Sequence, residues 1–179
     1  MIMKKKSQIL FAVFLLIITT ACYSESNGSE NFNVKITQMD EKTHIEILHA
    51  LANSGHIGSQ YELGTMYAEG KGVKQDYIKA KDWYEKAALQ GDIDSQASLG
   101  FMYYNAEGIP QDYIKAKEWF EKAAAQGSAA SQAFLGIMYY VGEGAQKDYG
   151  KAKEWFKKSC DNGYQVGCES VTKMNIYGE

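Results

Sequence analysis

The feature that most constrains this chain is an internal repeat with a period of 36 residues. Leu63-Gly64-x-x-Tyr67 returns as Leu99-Gly100-x-x-Tyr103 and again as Leu135-Gly136-x-x-Tyr139. The second half of the unit keeps the register. Asp76-Tyr77 recurs as Asp112-Tyr113 and Asp148-Tyr149, Ala80 as Ala116 and Ala152, Trp83 as Trp119 and Trp155, and Gly91 as Gly127 and Gly163. A fixed period of about 20–50 residues marks a stack of supersecondary units, none of which buries its apolar face alone.

Each unit reads as two helices and two breaks. Leu63 and Tyr67 stand four apart and share one face of a first helix beginning near Ile57. Gly64 lowers helix propensity by about 1 kcal/mol against alanine. Its return at positions 100 and 136 predicts a close approach by a partner helix. Glu69-Gly70-Lys71-Gly72 supplies a break in which glycine takes positive φ. Asp76, Asp112 and Asp148 stand where an N-cap belongs. Ala80, Trp83, Tyr84, Ala87 and Ala88 then form the apolar stripe of a second helix, closed by Gly91.

These residues resemble the Sel1-like repeats, relatives of the tetratricopeptide repeats, whose unit is about 34 residues. The resemblance runs from about Thr43 to the C-terminus. It implies an all-α fold, an α/α right-handed superhelical solenoid that serves as a scaffold or adaptor for other proteins. Three repeats fall at about 56–91, 92–127 and 128–163, inside a domain spanning 41–179. Before them, Thr43 to Gly55 reads as half a repeat, with Ile47, Ala52 and Gly55 in the places of Trp83, Ala88 and Gly91. After them, 164–179 is a diverged cap, with Val171, Thr172 and Asn175 in the places of Leu63, Gly64 and Tyr67.

The N-terminus has a different character. Lys4, Lys5 and Lys6 precede an apolar run from Ile9 to Ile18, then Thr19-Thr20-Ala21-Cys22. This is the pattern of a secretory signal peptide over 1–21. The run is too short for the roughly 20 residues of a spanning helix. Cys22 resembles the lipidated cysteine of a bacterial lipobox, although Thr19 stands where that pattern prefers leucine. The alternatives are an outer-membrane-anchored lipoprotein and a protein cleaved near Ala21 that is soluble in the periplasm or secreted. Residues 22–40, rich in Ser, Asn, Gly and Glu, read as a flexible linker.

Cys160 and Cys168 flank the turn after the third repeat, in the places of Ala88 and Gln96. The segment Ser159 to Cys168 resembles the cysteine-rich branch of the family, which implies a disulfide between the two. Export favours that reading over free thiols.

Several functions are disfavoured. Loss of 1–21 removes three of the 19 lysines and no acid, leaving 16 lysines against 22 acids, a formal charge of −6. The chain has no arginine, which argues against a nucleic-acid partner. His44, His49 and His56 do not converge on one helix face and read as surface residues, so no metal site or cofactor is expected. Asp82 with Lys86, Glu118 with Lys122 and Glu154 with Lys158 have the spacing of helical ion pairs. The cysteine-rich relatives imply an alternative, penicillin binding or weak β-lactamase-type hydrolysis. Ser170-Val171-Thr172-Lys173 matches the S-x-x-K element of such enzymes, but the Ser-Asp-Asn and Lys-Thr-Gly elements are missing.

The remaining signal lies in positions that vary between repeats. Thr65 and Ala68 become Phe101 and Tyr104, then Ile137 and Tyr140, while Glu62 and Ser98 become Phe134. The family implies that first helices line a concave surface. Phe101, Tyr104, Phe134, Ile137 and Tyr140 therefore either form a protein-binding groove or fill the space between repeats. The expectation is a non-catalytic envelope scaffold, touching the membrane only through a lipid at Cys22. A periplasmic immunity protein that neutralises a secreted toxin is the second form of the same binding role.

Overall fold

The computed structural model describes residues 41–178, with the side chain of Glu41 excepted. The signal peptide, Cys22 and the linker expected from the sequence lie outside them. Eight α-helices of 13 residues make up the described region: α1 Glu41–Asn53, α2 Ile57–Glu69, α3 Tyr77–Leu89, α4 Ile93–Asn105, α5 Tyr113–Ala125, α6 Ala129–Val141, α7 Tyr149–Asp161 and α8 Gln165–Tyr177. Helices α2–α3, α4–α5 and α6–α7 pair as repeats, and α1 and α8 cap the ends. The fold is an all-α solenoid of the superhelical type.

Local chemistry sets the boundaries. Asp76, Asp112 and Asp148 accept from the backbone amides of Lys79, Lys115 and Lys151, which satisfies an orphan donor at the start of each second helix. These amide bonds hold the carboxyls of Asp76 and Asp112 below the ordinary range. His56, Asp92 and Ser128 perform the same task for α2, α4 and α6. First helices end on a left-handed residue, which is Gly70 in the first repeat and Gly142 in the third. In the second it is Ala106, at φ 58°, a conformation that alanine adopts at a cost.

The close approach expected at the repeated glycine is present. A Cβ on Gly64 would lie 2.5 Å from the ring of Tyr84, one on Gly100 the same distance from Phe120, and one on Gly136 2.7 Å from Phe156. The deepest aromatic of each second helix is thus the residue after the tryptophan. Phe120 is fully buried, whereas Trp119 and Trp155 are half-buried and only Trp83 reaches the core, at 9% exposure. The expected acid–lysine pairs also give way. Lys86, Lys122 and Lys158 stand over the rings of Trp83, Trp119 and Trp155 at 3.7, 3.9 and 4.2 Å. Each tryptophan lies three positions before its lysine, one turn away, and its ring face attracts the ammonium. The i,i+4 ion pairs of α3 and α5 are instead Lys81–Glu85 and Lys117–Glu121, both at 3.0 Å, and Asp82 pairs with Lys81 at 3.5 Å.

A buried polar column, not anticipated from the sequence, ties the turns together. Gln60, Gln96 and Gln132 donate to the carbonyls of Ala52, Ala88 and Ala124, each eight residues earlier. Their own side-chain oxygens accept from Gln90, Gln126 and Asn162. Ser59-Gln60, Ser95-Gln96 and Ser131-Gln132 do recur at the repeat period. Their polarity hid their burial, because such residues are mostly exposed unless partnered.

Candidate functional site

The first helices of neighbouring repeats touch, α2 with α4 and α4 with α6, which sets them on the inner side of the stack. Three inter-repeat slots follow along this face, built from equivalent positions and filled in different ways.

In the first slot, Thr65 accepts a hydrogen bond from the Tyr84 hydroxyl at 3.2 Å, and Ser98 is also within that hydroxyl's reach. Burial pushes the Tyr84 phenol upward. In the second slot, Phe134 from α6 inserts among aromatic rings. Its centroid lies 4.6 Å from Phe101, 5.3 Å from Phe120 and 5.6 Å from Tyr104. Tyr104 also meets Tyr113 at 5.2 Å and donates to Glu143 across the repeat boundary at 2.6 Å. Burial, then this bond to a carboxylate, raises its phenol well above the ordinary range. Phe101, Tyr104 and Phe134 are therefore half-buried inter-repeat packing.

The third slot is open. Ile137, Tyr140 and Phe156 stand where Phe101, Tyr104 and Phe120 stood, but the place of Phe134 is taken by Ser170. A pocket of about 270 Å³ results, completed by Lys173, Met174 and Tyr177. Of the five residues expected to bind a partner, Ile137 and Tyr140 line it. Ser170 and Lys173 of the S-x-x-K match line it too, one turn apart on α8. A nucleophile needs a base within hydrogen-bond reach and a group that orients the base. Neither side chain makes a hydrogen bond or ion pair to another described residue.

The turn beside this pocket carries Cys160 and Cys168, joined Sγ to Sγ at 1.97 Å with Cα atoms 4.6 Å apart. Cys168 occupies the glutamine place and Cys160 the alanine place, so a covalent bond replaces the buried amide clamp of the other turns. The helices approach so closely here that a Cβ on Gly167, in the serine place, would lie 2.6 Å from the Phe156 carbonyl oxygen.

The histidines are structural and individually engaged. His44 pairs with Glu62 at 3.5 Å and His56 caps α2. His49 is not the surface residue expected: it packs edge-on against Tyr67 and Trp83 and accepts from or donates to the Tyr67 hydroxyl at 3.4 Å. Among the described residues no His, Cys, Asp and Glu group has the arrangement of a metal site. No helix among them is long and apolar enough to cross a membrane.

The Sel1 repeat model matches residues 57–92, 93–128 and 129–164, more than half of the chain. Among solved structures, a protective antigen of uropathogenic Escherichia coli strains with an SLR fold is 35% identical at a TM-score of 0.76. That match covers 78% of this chain but only 30% of the antigen. A Sel1 repeat protein from Oxalobacter formigenes is 33% identical at a TM-score of 0.67, over 73% of this chain and 98% of that one. Helicobacter pylori cysteine rich protein B shares the fold at 21% identity and a TM-score of 0.56, over 73% of this chain and 93% of that one. No curated protein gives a significant match. With the 36-residue period, the aspartate caps and the glycine–aromatic contacts in place, the chain belongs to the Sel1 repeat family.

Proposed function

We propose that this protein is a non-catalytic scaffold that holds a protein partner on the inner face of its third repeat and C-terminal cap. The observation that carries the reading is the open third slot, where Ile137, Tyr140 and Tyr177 line a recess with the buried Phe156 and Met174. Aromatic anchors beside a pocket are what protein interfaces use. The second slot has already consumed its aromatics in packing, which moves the working surface one repeat toward the C-terminus.

Export to the envelope, with a lipid on Cys22, is part of the same proposal. Likeness to a protective antigen supports an exported location, although this chain spans less than a third of that antigen's length. Inhibition of the lipoprotein signal peptidase should cause precursor to accumulate, and Cys22→Ser should release the protein from the membrane fraction. Normal processing in both cases leaves the soluble form.

The binding role is tested by photo-crosslinking in cells. A benzoylphenylalanine replacing Tyr177, which is 75% exposed at the recess, should yield a discrete protein adduct. The same residue at Ile114, 65% exposed on the second helix α5, should not. Equal labelling from both positions, or from neither, rules the docking surface out. Hydrolysis of a chromogenic penicillin-type substrate that is lost on Ser170→Ala would make the protein an enzyme.

A further inference from the structure

The two capping helices are unlike halves of one unit. The register places α1 on the second-helix positions and α8 on the first-helix positions. The described stack therefore opens on a second helix without its first and closes on a first helix without its second. Each carries a face that every complete repeat covers internally.

Two positions locate those faces. Ala87, Ala123 and Ser159 are fully buried, and the Ser159 hydroxyl donates to the Ala129 carbonyl on the first helix of its own repeat at 2.7 Å. In α1 the same position holds Leu51, which is 39% exposed. On the first helices, Tyr104 meets Tyr113 and Tyr140 meets Tyr149, each within its own repeat, at 5.2 and 5.1 Å. In α8 the place of Tyr104 and Tyr140 holds Ile176, which is 72% exposed.

The side chains between these positions are exchanged in size. Gly64, Gly100 and Gly136 lie under the rings of Tyr84, Phe120 and Phe156, with no space for a Cβ. In α8 the glycine place holds Thr172, and in α1 the ring place holds Leu48. What one half gains the other gives up, and volume-conserving swaps are those that packing tolerates best. A second contact changes in the same paired way. Lys79, Lys115 and Lys151 stand over the rings of Tyr67, Tyr103 and Tyr139 at 5.1, 5.4 and 5.5 Å. Their places hold Thr43 in α1 and Asn175 in α8, two short polar side chains suited to a mutual hydrogen bond.

From this register we propose that α8 of one copy pairs with α1 of a second copy, completing a repeat across the joint. The occupant is a second copy because the pairing continues the helix-on-helix contact that each repeat makes inside the chain. The joint covers Leu51 and Ile176. It is heterologous, each copy giving one end and receiving at the other, so copies add head to tail. It needs no other protein and goes beyond the scaffold reading.

The test is sedimentation of the Cys22→Ser protein, disulfide intact, from micromolar to millimolar concentration. Its mass should rise with concentration and pass that of a dimer. Leu51→Glu places an unpaired carboxylate on the α1 side of the joint, and Thr172→Glu places one on the α8 side. Each variant alone should stay monomeric, with a melting temperature near the parent's. An equimolar mixture of the two should form a dimer and stop there, because one unblocked α8 meets one unblocked α1. That dimer also shows that both variants are folded. A parent that stays monomeric at millimolar concentration overturns the proposal. So does a mixture that stays monomeric while the parent assembles, or assembly that either variant leaves undiminished.

Discussion

The second and third inter-repeat boundaries use equivalent positions to opposite ends. Between α4–α5 and α6 the chain spends its aromatics on itself: Phe134 stacks on Phe120 and meets Phe101 and Tyr104 edge to face. Between α6–α7 and α8 the same places hold Ile137, Tyr140, Phe156 and Ser170, and space remains. The covalent arrangement inverts with the packing. Where the slot is full, the turn is held by the Gln132 amide on the Ala124 carbonyl; where it is open, the turn is held by Cys160–Cys168. A terminal helix with a vacant socket loses apolar contacts, and a cross-link that limits its unfolded freedom offsets that loss. A repeat can then carry a recess without shedding its cap.

The largest expected effect breaks the filled side. Phe120→Ala removes a fully buried ring and should cost about 3–5 kcal/mol. Phe156→Ala, at the equivalent place, should cost less, because one wall of its ring already faces a recess. Chemical denaturation of both variants gives the comparison. Equal losses would mean that the third slot is as tightly closed as the second.

The cross-link is next. Cys160→Ser with Cys168→Ser should destabilise the chain by about 2–3 kcal/mol, with hydrogen-exchange protection lost first in α8. Cys160→Ala with Cys168→Gln rebuilds the residue types of the other turns and should recover about 1 kcal/mol through the amide-to-carbonyl bond. If the two double variants melt together, the glutamine column contributes nothing at this turn. The close seat of Gly167 would then be the feature that depends on the disulfide.

A smaller effect comes from the one residue of the filled boundary that breaks the repeat's own rule. Ala106 sits at φ 58° where the first and third repeats have Gly70 and Gly142. Ala106→Gly should relieve about 1 kcal/mol of left-handed strain and raise the melting temperature by about 3 °C. A lower melting temperature would show that the glycine's extra unfolded-state freedom outweighs the strain.

The repeat register, the caps at Asp76, Asp112 and Asp148, and the close approach at Gly64 were legible because each is a local rule stated three times. The capping helices were legible because they keep the period after losing its best residues. The depth of the side chains was not. Trp119 looks like the core residue, yet Phe120 beside it takes the position over Gly100, and the tryptophan spreads under Lys122. Two adjacent aromatics on a helix differ by 100° in direction, and nothing in one chain says which faces inward. The buried Gln96 was hidden for another reason: a polar residue is sheltered only when a partner carbonyl is placed for it, and Ala88 is set there by the turn. The open slot was invisible as well. Ser170 reads as an ordinary polar residue until it is laid over Phe134.

The N-terminal cap tests the comparison from the far end and carries the smallest predicted effect. Here α1 meets α2 and α3 through Leu48, Ala52, Leu63 and Trp83, with His49 at the edge of that cluster. Burial, and then the positive charge of Lys79, lower the His49 pKa below its ordinary 6.5. The folded state therefore favours neutral imidazole, and the unfolded chain binds the proton more readily. Stability from this residue is complete above 6.5 and declines as pH falls below it. The capping aspartates act in a separate, more acidic window, since their lowered carboxyls lose their contribution only as pH falls below 3.8. Melting curves at pH 7.5 and pH 5.5 should differ by a degree or so in the parent. His49→Gln, which keeps a hydrogen-bonding partner for Tyr67, should remove that difference. The fall should appear first in the exchange of α1 amides, while α8 stays protected by its disulfide. An identical pH response in His49→Gln, or a loss that begins in α8, would mean that the open C-terminal boundary, and not the N-terminal cap, is the weaker end of the stack.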